Sequence, residues 1–467
     1  MELNLRKSLL LAALAALLLS VLVVGVPSEP TSKPHVKNVI LMIGDGMGFE
    51  ILTLARYYSL SILRSDLYIF EVARLGSTGY VTTHSLDYLV TDSAAAGTAL
   101  ATGFKTNNGM ISVLPNGMSL ETVLERAQKL GKSVGLVTTT RITHATPAAF
   151  ASHVVSRGME NEIAVQLIYH KVNVLLGGGL RHFIPKEVPG SKRKDSRDLI
   201  KEAKALGYLI VRNRTQLLAV DPSRTRLLLG LFSLSHMAYE IDRKGTGQPS
   251  LAEMTKKAIE ILSRDKDGFF LMVEGGRIDH ACHANDAAAA IMDTLAFDEA
   301  VKVALDFAKR DGETLVIITA DHDTGAPTLT YSRRVKPKAG NLAFLAKVNA
   351  SFELIIDELK GGELTVERVK EVVKRYTGLS ITDGEARTLI AAMKEPGKAA
   401  WPPCFYEQPQ NTLGRLISAE VHVVSWATGG HTATLVPVIA YGPTSAKFGR
   451  LLDNTDIAKL IFEALGG

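Results

Sequence analysis

Short apolar runs that end in an acidic residue recur three times along the chain. Residues 39–43, 269–273 and 315–319 are rich in Val, Ile, Leu and Phe, and they lead within two residues to Asp45, Glu274 and Asp321, in that order. Uninterrupted runs of this length are typical of parallel strands that are buried on both faces. Because open α/β sheets bind ligands at the carboxyl ends of their strands, the pattern predicts acidic residues at a ligand-binding edge.

Helical patterns fill the stretches between the predicted strands. A capping box precedes the apolar stripe of residues 251–262, and residues 297–308 carry a second stripe with helical spacing. Residues 134–138 and 172–176 predict two further strands. Strand and helix therefore alternate along most of the chain, which predicts an α/β fold with a large, mainly parallel central sheet and helices on both faces.

Residues 327–425 differ from the rest of the chain because they are richer in charged helical patterns. We expect them to form an insertion within a single domain that spans residues 28–467. The insertion follows almost directly from Asp321 and His322, so it should lie near the active-site edge of the sheet.

The composition is that of an ordinary globular protein. Hydrophobic residues make up 46% and charged residues 22%, which excludes a disordered or fibrous chain. The net charge of +5 is small, and the basic stretches lack interleaved aromatic residues, so no specific nucleic-acid partner is predicted. The two cysteines, Cys282 and Cys404, are too few for a disulfide scaffold, and whether they pair stays open. For Cys282 we favour burial in the core over thiolate ligation of a metal.

An apolar run over residues 9–26 follows Arg6 and Lys7. This arrangement predicts either a signal peptide or an N-terminal membrane anchor within residues 1–27. Both alternatives stay open, because the run is long enough to span a bilayer and no clear Ala-x-Ala cleavage site follows it. In either case we expect the folded part to be extracytoplasmic: secreted, periplasmic or anchored to the outer face of the membrane.

Histidines accompany the acidic residues at two of the three strand ends. Asp279 and His283 are four residues apart, so one helix face would present both to a cation, although such a pair is often a plain surface contact. Asp321 and His322 either bind a metal or form a helix cap beside an exposed imidazole. Asp45 lies among glycines, where a carboxylate would repel a pyrophosphate and fits a cation better. Carboxylates and imidazoles at one sheet edge together predict a metal site.

A serine followed by small residues marks a predicted helix start. Asp92 and Ser93 precede an Ala- and Gly-rich stretch, and a helix that begins there would offer free N–H groups to an anion. The alternative is an ordinary helix cap. No Gly-x-Ser-x-Gly motif is present, so the sequence gives no support to a Ser-His-Asp esterase.

In combination, these motifs resemble those of the alkaline phosphatases, which are metal-dependent phosphomonoesterases. The matching blocks are residues 38–48, 91–109, 138–157, 269–286, 319–325 and 429–432. The resemblance covers nearly all of the chain that follows the N-terminal segment. It implies the alkaline-phosphatase-like fold, a homodimer, and hydrolysis of small-molecule phosphate monoesters.

The resemblance also implies roles for individual residues. Ser93 would be the nucleophile that is transiently phosphorylated, Arg157 would bind two phosphate oxygens, and Asp92 would steady Arg157. The implied ligands are Asp279, His283 and His431 for one Zn²⁺, Asp45, Asp321 and His322 for a second Zn²⁺, and Asp45, Thr146 and Glu274 for a third ion, usually Mg²⁺.

Two histidines depart from part of the family. His144 and His280 occupy positions where some bacterial members have Asp and Lys, whereas other members have His. Imidazole favours Zn²⁺ or Co²⁺ over Mg²⁺, so the identity of the third ion stays open between these metals. Direct ligation and orientation of water or substrate phosphate are equally open roles for both residues. The remaining histidines considered, which match no ligand of the family, are expected to be structural: His153, His170, His182, His236 and His422.

Two alternative functions stay under consideration. A related metal-dependent phosphodiesterase or sulfatase-like hydrolase would share the sheet and the two-metal site, but Arg157, Thr146 and Glu274 favour monoesters. A non-catalytic phosphate- or metal-binding protein on the same fold would have no use for the Ser93 nucleophile.

Overall fold

A ten-stranded β-sheet lies at the centre of the computed structural model, which describes residues 36–330, 338–395, 409–421 and 424–466. The strands in chain order are β1 Asn38–Gly44, β2 Ser77–Thr82, β3 Ser133–Arg141, β4 Val174–Gly178, β5 Leu209–Val211, β6 Leu228–Leu231, β7 Phe269–Gly275, β8 Thr314–Ala320, β9 Asp323–Thr324, β10 Pro327–Leu329, β11 Val424–Trp426, β12 His431–Thr432, β13 Val436–Tyr441 and β14 Leu451–Asp453. Strand β9 pairs with β12 and β10 pairs with β11, outside the large sheet.

The large sheet is parallel except at one strand. Its order is β14-β2-β13-β8-β1-β7-β3-β4-β6-β5, and β13 runs antiparallel to both β2 and β8. Every residue of β1, β7 and β8 is buried, as expected for strands that are covered on both faces. The predicted α/β fold with a mainly parallel central sheet is confirmed.

Helices pack on both faces of the sheet. They are α1 Phe49–Tyr58, α2 Tyr68–Leu75, α3 Ser93–Thr102, α4 Val123–Lys129, α5 Ala145–Ala151, α6 Glu160–Tyr169, α7 Leu199–Ala205, α8 Arg214–Leu218, α9 Leu251–Leu262, α10 Arg277–His283, α11 Ala287–Asp311, α12 Phe352–Lys360, α13 Val366–Thr377, α14 Asp383–Lys394, α15 Pro409–Val421 and α16 Asn454–Ala464. Helices α1, α2, α9 and α11 pack together in one layer, and α3, α4, α5 and α16 pack together in the other.

Three neighbouring strands bring the acidic motifs to one edge of the sheet. Strand β1 lies between β7 and β8, and Ile43 is in register with Glu274 on one side and with Thr319 on the other. Asp45 follows β1 directly, and Asp321 follows β8 directly. Because the three strands are parallel, these carboxylates meet at the same edge, which is where α/β proteins bind ligands.

The segment that we expect to be an insertion begins and ends in a two-stranded ladder. Strands β10 and β11 pair antiparallel, and helices α12 to α15 come between them in the chain. Glu353 of α12 binds the Arg277 guanidinium of α10 at 2.8 Å. This ion pair connects the helical segment to the helix that carries Asp279 and His283.

Several predicted features lie outside the described residues, namely the N-terminal segment 1–27, Cys404 and His422. Cys282 is buried in the hydrophobic core, and burial raises the pKa of its thiol well above the usual value. None of the helices in the described ranges has the length and hydropathy that crossing a bilayer requires.

Candidate active site

The first cluster of candidate ligands comprises Asp279, His283 and His431. Helix α10 presents Asp279 and His283 one turn apart, and the short β12 strand supplies His431. The Nε2 atoms of His283 and His431 lie 3.3 and 3.6 Å from Asp279 Oδ1, and 3.1 Å from each other. Ligand atoms around a tetrahedral zinc are about 3.3 Å apart, so the three donors already have the spacing that one zinc ion requires.

Both imidazoles of the first cluster are oriented through their other nitrogen. His283 Nδ1 donates to Gly429 O at 2.7 Å, and His431 Nδ1 donates to Thr91 O at 2.8 Å. A neutral imidazole that donates from Nδ1 presents a lone pair at Nε2. With a cation between them, both rings can be neutral and direct these lone pairs at it, so this donor set fits a bound metal.

The second cluster comprises Asp45, Asp321 and His322, all fully buried. His322 Nε2 lies 3.2 Å from Asp321 Oδ2 and 3.6 Å from Asp45 Oδ1, while its Nδ1 contacts Thr324 Oγ1 at 3.2 Å. Asp321 Oδ1 accepts a hydrogen bond from the backbone N of Gly46. Asp321 Oδ2 and both oxygens of Asp45 have no hydrogen-bond donor among the described residues. Buried carboxylate oxygens without donors are costly, and a cation would compensate them.

The third cluster joins Asp45 to Glu274 and His144, whose donor atoms lie within 4.8 Å of one another. Glu274 closes β7 and its Oε2 accepts a hydrogen bond from Thr138 Oγ1. Glu274 Oε1, Thr146 Oγ1 and His144 Nδ1 are buried without a hydrogen-bond partner in the described part of the chain. Asp45 therefore belongs to two adjacent clusters and could bridge two cations.

The pKa values of the buried acids reflect their mutual repulsion. Burial, together with the neighbouring charges of Asp321, Asp279 and Glu274, raises the pKa of Asp45 well above its usual value. Burial also raises the pKa of Asp321 to about 7. Burial would raise the pKa of Asp279 as well, but the charge and hydrogen bond of His283 outweigh it, and the pKa of Asp279 lies well below the usual value. The site thus holds a concentration of negative charge that a divalent cation can neutralise.

Ser93 lies beside the second cluster. It is the buried first residue of α3, and its Oγ is 3.2 Å from His322 Nε2. The Asp92 side chain caps the helix by accepting a hydrogen bond from the backbone N of Ala95 at 3.0 Å. Gly97 lets α3 approach α5 closely, since an added Cβ would meet a side chain of α5 at 3.1 Å. A hydroxyl at a helix N-terminus is well placed to meet an anion.

The guanidinium of Arg157 is held by hydrogen bonds from both of its terminal nitrogens, one of them to Asp92, the residue before Ser93. Its Nη1 donates to Asp92 Oδ2 at 2.9 Å, and its Nη2 donates to His144 Nε2 at 3.1 Å. Its backbone N donates to Gly109 O at 2.7 Å. A planar guanidinium fixed in this way is suited to binding two oxygens of a tetrahedral anion.

The fold brings together all the candidate site residues of the sequence analysis, with the His280 ring centroid 5.7 Å from that of His144. Two side chains that contact the predicted site residues were not among them. Thr324 Oγ1 donates to Asp279 Oδ1 at 2.6 Å, and its position two residues after His322 could have indicated it. His236, which is expected to be structural, has its ring centroid 4.3 Å from that of His280.

Comparison with known proteins gives one consistent answer. A family model described as "Alkaline phosphatase" matches residues 36–466. Alkaline phosphatase 4 of Bacillus subtilis (strain 168) is 38% identical over 451 residues, which cover 94% of this chain and 90% of the relative. The repressible alkaline phosphatase of Saccharomyces cerevisiae is 37% identical over 456 residues, which cover 90% of this chain and 78% of the relative.

A solved structure agrees with this result. The crystal structure of Thermus thermophilus alkaline phosphatase has a TM-score of 0.86 and 34% sequence identity, and the match covers 92% of each chain. The chain belongs to the alkaline phosphatase family of phosphoric monoester hydrolases.

Proposed function

We propose that the protein hydrolyses phosphate monoesters through a phosphoserine at Ser93, with two zinc ions and a third cation. The observation that carries this proposal is the position of the Ser93 hydroxyl, 3.2 Å from His322 Nε2 in the second cluster. The first cluster is adjacent, since the His322 and His431 rings stack with centroids 3.6 Å apart. A nucleophile beside paired cation sites is the arrangement of two-metal phosphoryl transfer.

In the first half of the reaction, Ser93 Oγ attacks phosphorus and the alcohol leaves. Arg157 binds two of the non-bridging oxygens, and Asp92 and His144 hold its guanidinium in position. The first two clusters would hold cations whose positive charge would stabilise the attacking and leaving oxygens. The P–O bond to the alcohol breaks as the bond to Ser93 Oγ forms, the Ser93 proton passes to solvent water, and the leaving alkoxide takes a proton from water.

In the second half, water attacks the phosphoserine from the side that the alcohol has left. The P–Oγ bond breaks as the bond to the water oxygen forms, a proton that the water loses passes through solvent to Ser93 Oγ, and inorganic phosphate is released. Each displacement inverts the configuration at phosphorus, so the two together give net retention. With cations bound, Asp45 and Asp279 would act as ligands rather than as the acid or base of either step.

The donor atoms support a metal for each cluster. Two imidazoles and one carboxylate at the first cluster, and one imidazole and two carboxylates at the second, suit zinc. At the third cluster Arg157 donates to His144 Nε2, so a neutral ring carries its proton on Nδ1 and has no lone pair left for a metal. The carboxylates of Asp45 and Glu274 with the Thr146 hydroxyl then favour Mg²⁺ over Zn²⁺ or Co²⁺.

The test is hydrolysis of a chromogenic phosphate monoester and of the matching diester from pH 6 to 11, with zinc and magnesium supplied. We expect rapid monoester turnover that increases at alkaline pH, and a loss of at least about a thousandfold in Ser93→Ala. Ser61→Ala, which changes a partly buried serine in the segment after α1, is the matched control. Unimpaired turnover in Ser93→Ala, or turnover of the diester alone, would refute the phosphoserine monoesterase.

Two further proposals concern location and assembly. The apolar run of residues 9–26 supports export, with the segment either cleaved or kept as an anchor. Several exposed apolar side chains surround the loop before Ser93, and they support a homodimer with a second copy covering them: Leu86, Tyr88, Leu89, Phe104 and Val155. Light scattering on wild type and Leu89→Asp tests this assembly, because a charge at that position would favour the monomer.

A further inference from the structure

Three histidines from distant parts of the chain meet beside the third cluster. The ring centroids of His144, His236 and His280 lie 4.3 to 5.7 Å apart and pack edge to face. His144 precedes α5, His280 lies in α10, and His236 lies in the loop after β6. The proposed reaction gives a role to His144 but none to His280 or His236.

Each of the three imidazoles accepts a hydrogen bond from its own arginine. Arg157 Nη2 donates to His144 Nε2 and Arg277 Nη1 donates to His280 Nδ1, both at 3.1 Å, and Arg141 Nη1 donates to His236 Nε2. A guanidinium is always a donor, so the imidazole nitrogen that faces it carries a lone pair and no proton. The three rings are thereby fixed in orientation and in tautomer.

Each of these arginines is also paired with a carboxylate. Asp92 binds Arg157 at 2.9 Å, Glu353 binds Arg277 at 2.8 Å, and Glu160 binds Arg141 at 2.7 Å. Each histidine of the cluster is thus linked through an arginine to a carboxylate. The Glu160 chain is further anchored, because Glu160 also accepts a hydrogen bond from Thr143 Oγ1 at 2.7 Å.

This arrangement excludes the two simplest roles for a histidine cluster. A nitrogen that accepts a hydrogen bond from arginine has no lone pair left for a metal. Arg141 and Arg277 are each paired with a carboxylate, so the His236 side of the cluster offers no unpaired guanidinium to a further anion. What the cluster can do is hold its members rigidly in place.

We propose that His236, held by Arg141, is a positioning residue for the substrate phosphate. Its ring packs against both His144 and His280, at centroid distances of 5.4 and 4.3 Å, and prevents either from turning into the space it fills. His144 in turn determines where the Nη2 end of Arg157 lies. Loss of the His236 ring should therefore allow His144 to move and misdirect the guanidinium that binds phosphate.

The inference rests on the proposed function, and phosphate affinity tests it separately from turnover. Binding of inorganic phosphate to the metal-loaded protein is measured by calorimetry for wild type, His236→Ala, Arg141→Met and the double variant. We expect the phosphate Kd to rise about tenfold in each variant, as is usual when a partner of a site residue is removed. The KM for a monoester should rise in parallel, whereas kcat and the metal content should change less than about threefold.

The double variant tests whether Arg141 and His236 affect phosphate binding together or independently. Because Arg141 acts through His236, the double variant should bind phosphate no more weakly than either single variant. Arg141→Lys keeps a donor for His236 Nε2 and should therefore bind phosphate with most of the wild-type affinity. The comparison of Arg141→Met with Arg141→Lys still tests the proposal if His236→Ala does not fold. His170→Ala, which removes a partly buried imidazole outside the cluster, is the control and should bind phosphate normally.

An unchanged phosphate Kd in His236→Ala would overturn the positioning role, as would effects that add in the double variant. A fall in kcat at constant KM would also overturn it, since that pattern indicates general damage rather than misdirected phosphate binding. If wild type neither binds phosphate nor hydrolyses monoesters, the proposed function fails first. If wild type does both and the variants match it, only the role of His236 fails.

Discussion

At the scale of single residues, the partner of the non-ligating ring nitrogen decides which way each candidate metal ligand faces. The Nδ1 atoms of His283 and His431 meet backbone carbonyls, and the Nδ1 of His322 meets the hydroxyl of Thr324. Thr324 is unusual because the same hydroxyl donates to Asp279 Oδ1 at 2.6 Å. One side chain therefore orients a ligand in the first cluster and another in the second.

We predict that Thr324→Val weakens zinc binding at both clusters by about 10- to 100-fold, the usual effect of losing such a partner. Valine has the same shape as threonine but leaves Asp279 and His322 without the shared hydroxyl. Competition with a chromogenic chelator measures the change in zinc affinity. Thr324→Ser keeps the hydroxyl and should bind zinc as wild type does, so equal loss in both variants would contradict this account.

A histidine outside the site, His153, should make the stability of the protein depend on pH. Burial alone would lower the pKa of His153, but its hydrogen bonds to Glu125 Oε1 at 2.8 Å and to Ser112 O at 2.9 Å outweigh this effect and raise it. The neighbouring His170 has a pKa lowered by burial, so it stays neutral beside the charged ring. A raised pKa in the folded state means that folding binds a proton at His153.

We therefore predict that His153→Gln lowers the free energy of unfolding by about 1 kcal/mol or more at pH 6, where the imidazolium is present, and by less at pH 9. The contribution is complete below the pKa of the unfolded chain and is lost as the pH rises through the higher folded value. Urea unfolding at the two pH values measures it. A deficit that is larger at pH 9 would show that the charged form is not the stabilising one.

Residue patterns predicted the site where local sequence carries the information. Asp45, Glu274 and Asp321 could be placed because each comes at the end of an apolar run that is typical of a buried strand. His236 could not, because its loop has no periodic pattern and its partners Arg141 and His280 lie far away in the sequence. A contact between side chains of distant loops depends on the packed fold rather than on spacing.

At the scale of elements, glycine at the end of β4 allows the loop that carries His236 to lie against the sheet. A Cβ added at Gly178 would come within 2.1 Å of Ser235 O, and the backbone N of Gly179 donates to the same carbonyl at 2.8 Å. The loop backbone cannot retreat without breaking this hydrogen bond. The position of His236 thus depends on the lack of a side chain at Gly178, at the end of β4.

We predict that Gly178→Ala destabilises the protein by about 3 kcal/mol, in the range of substitutions that force backbone atoms apart. Thermal and urea unfolding measure the change in the free energy of unfolding. Gly340→Ala is the control, because a Cβ there meets nothing within 4 Å and the expected change is within about 0.5 kcal/mol. Equal stability of the two variants would mean that the loop moves aside freely.

The short strands mark the limit of element prediction. The long buried strands β1, β7 and β8 follow from apolar runs, whereas β9 and β12 are only two residues long and exist through pairing across the fold. That pairing matters, since it sets His431 opposite Thr324 and so places a candidate zinc ligand. Strands of this length have no periodicity of their own, so only a family resemblance could nominate His431.

At the scale of the whole molecule, the metal site is a source of stability as well as of chemistry. Four carboxylates, those of Asp45, Glu274, Asp279 and Asp321, are at most 4% exposed at the edge of the central sheet. Without cations they repel one another at the point where β1, β7 and β8 meet. Ions that bind only the folded state stabilise it by about 4 kcal/mol per site at a thousandfold excess over Kd.

We predict that chelation lowers the midpoint of thermal unfolding strongly and that zinc with magnesium restores it. Asp45→Asn distinguishes repulsion between the carboxylates from ligation of the cations, because Asp45 belongs to both the second and the third cluster. In the chelated protein, at an alkaline pH where Asp45 is ionised despite its raised pKa, the substitution removes repulsion and should raise the midpoint, whereas in the metal-loaded protein it removes a shared ligand and should lower it. Calorimetry of both proteins with and without metal measures the four midpoints. A substitution that lowers the midpoint in both states would mean that Asp45 stabilises the fold by packing rather than through the charge it places beside the cations.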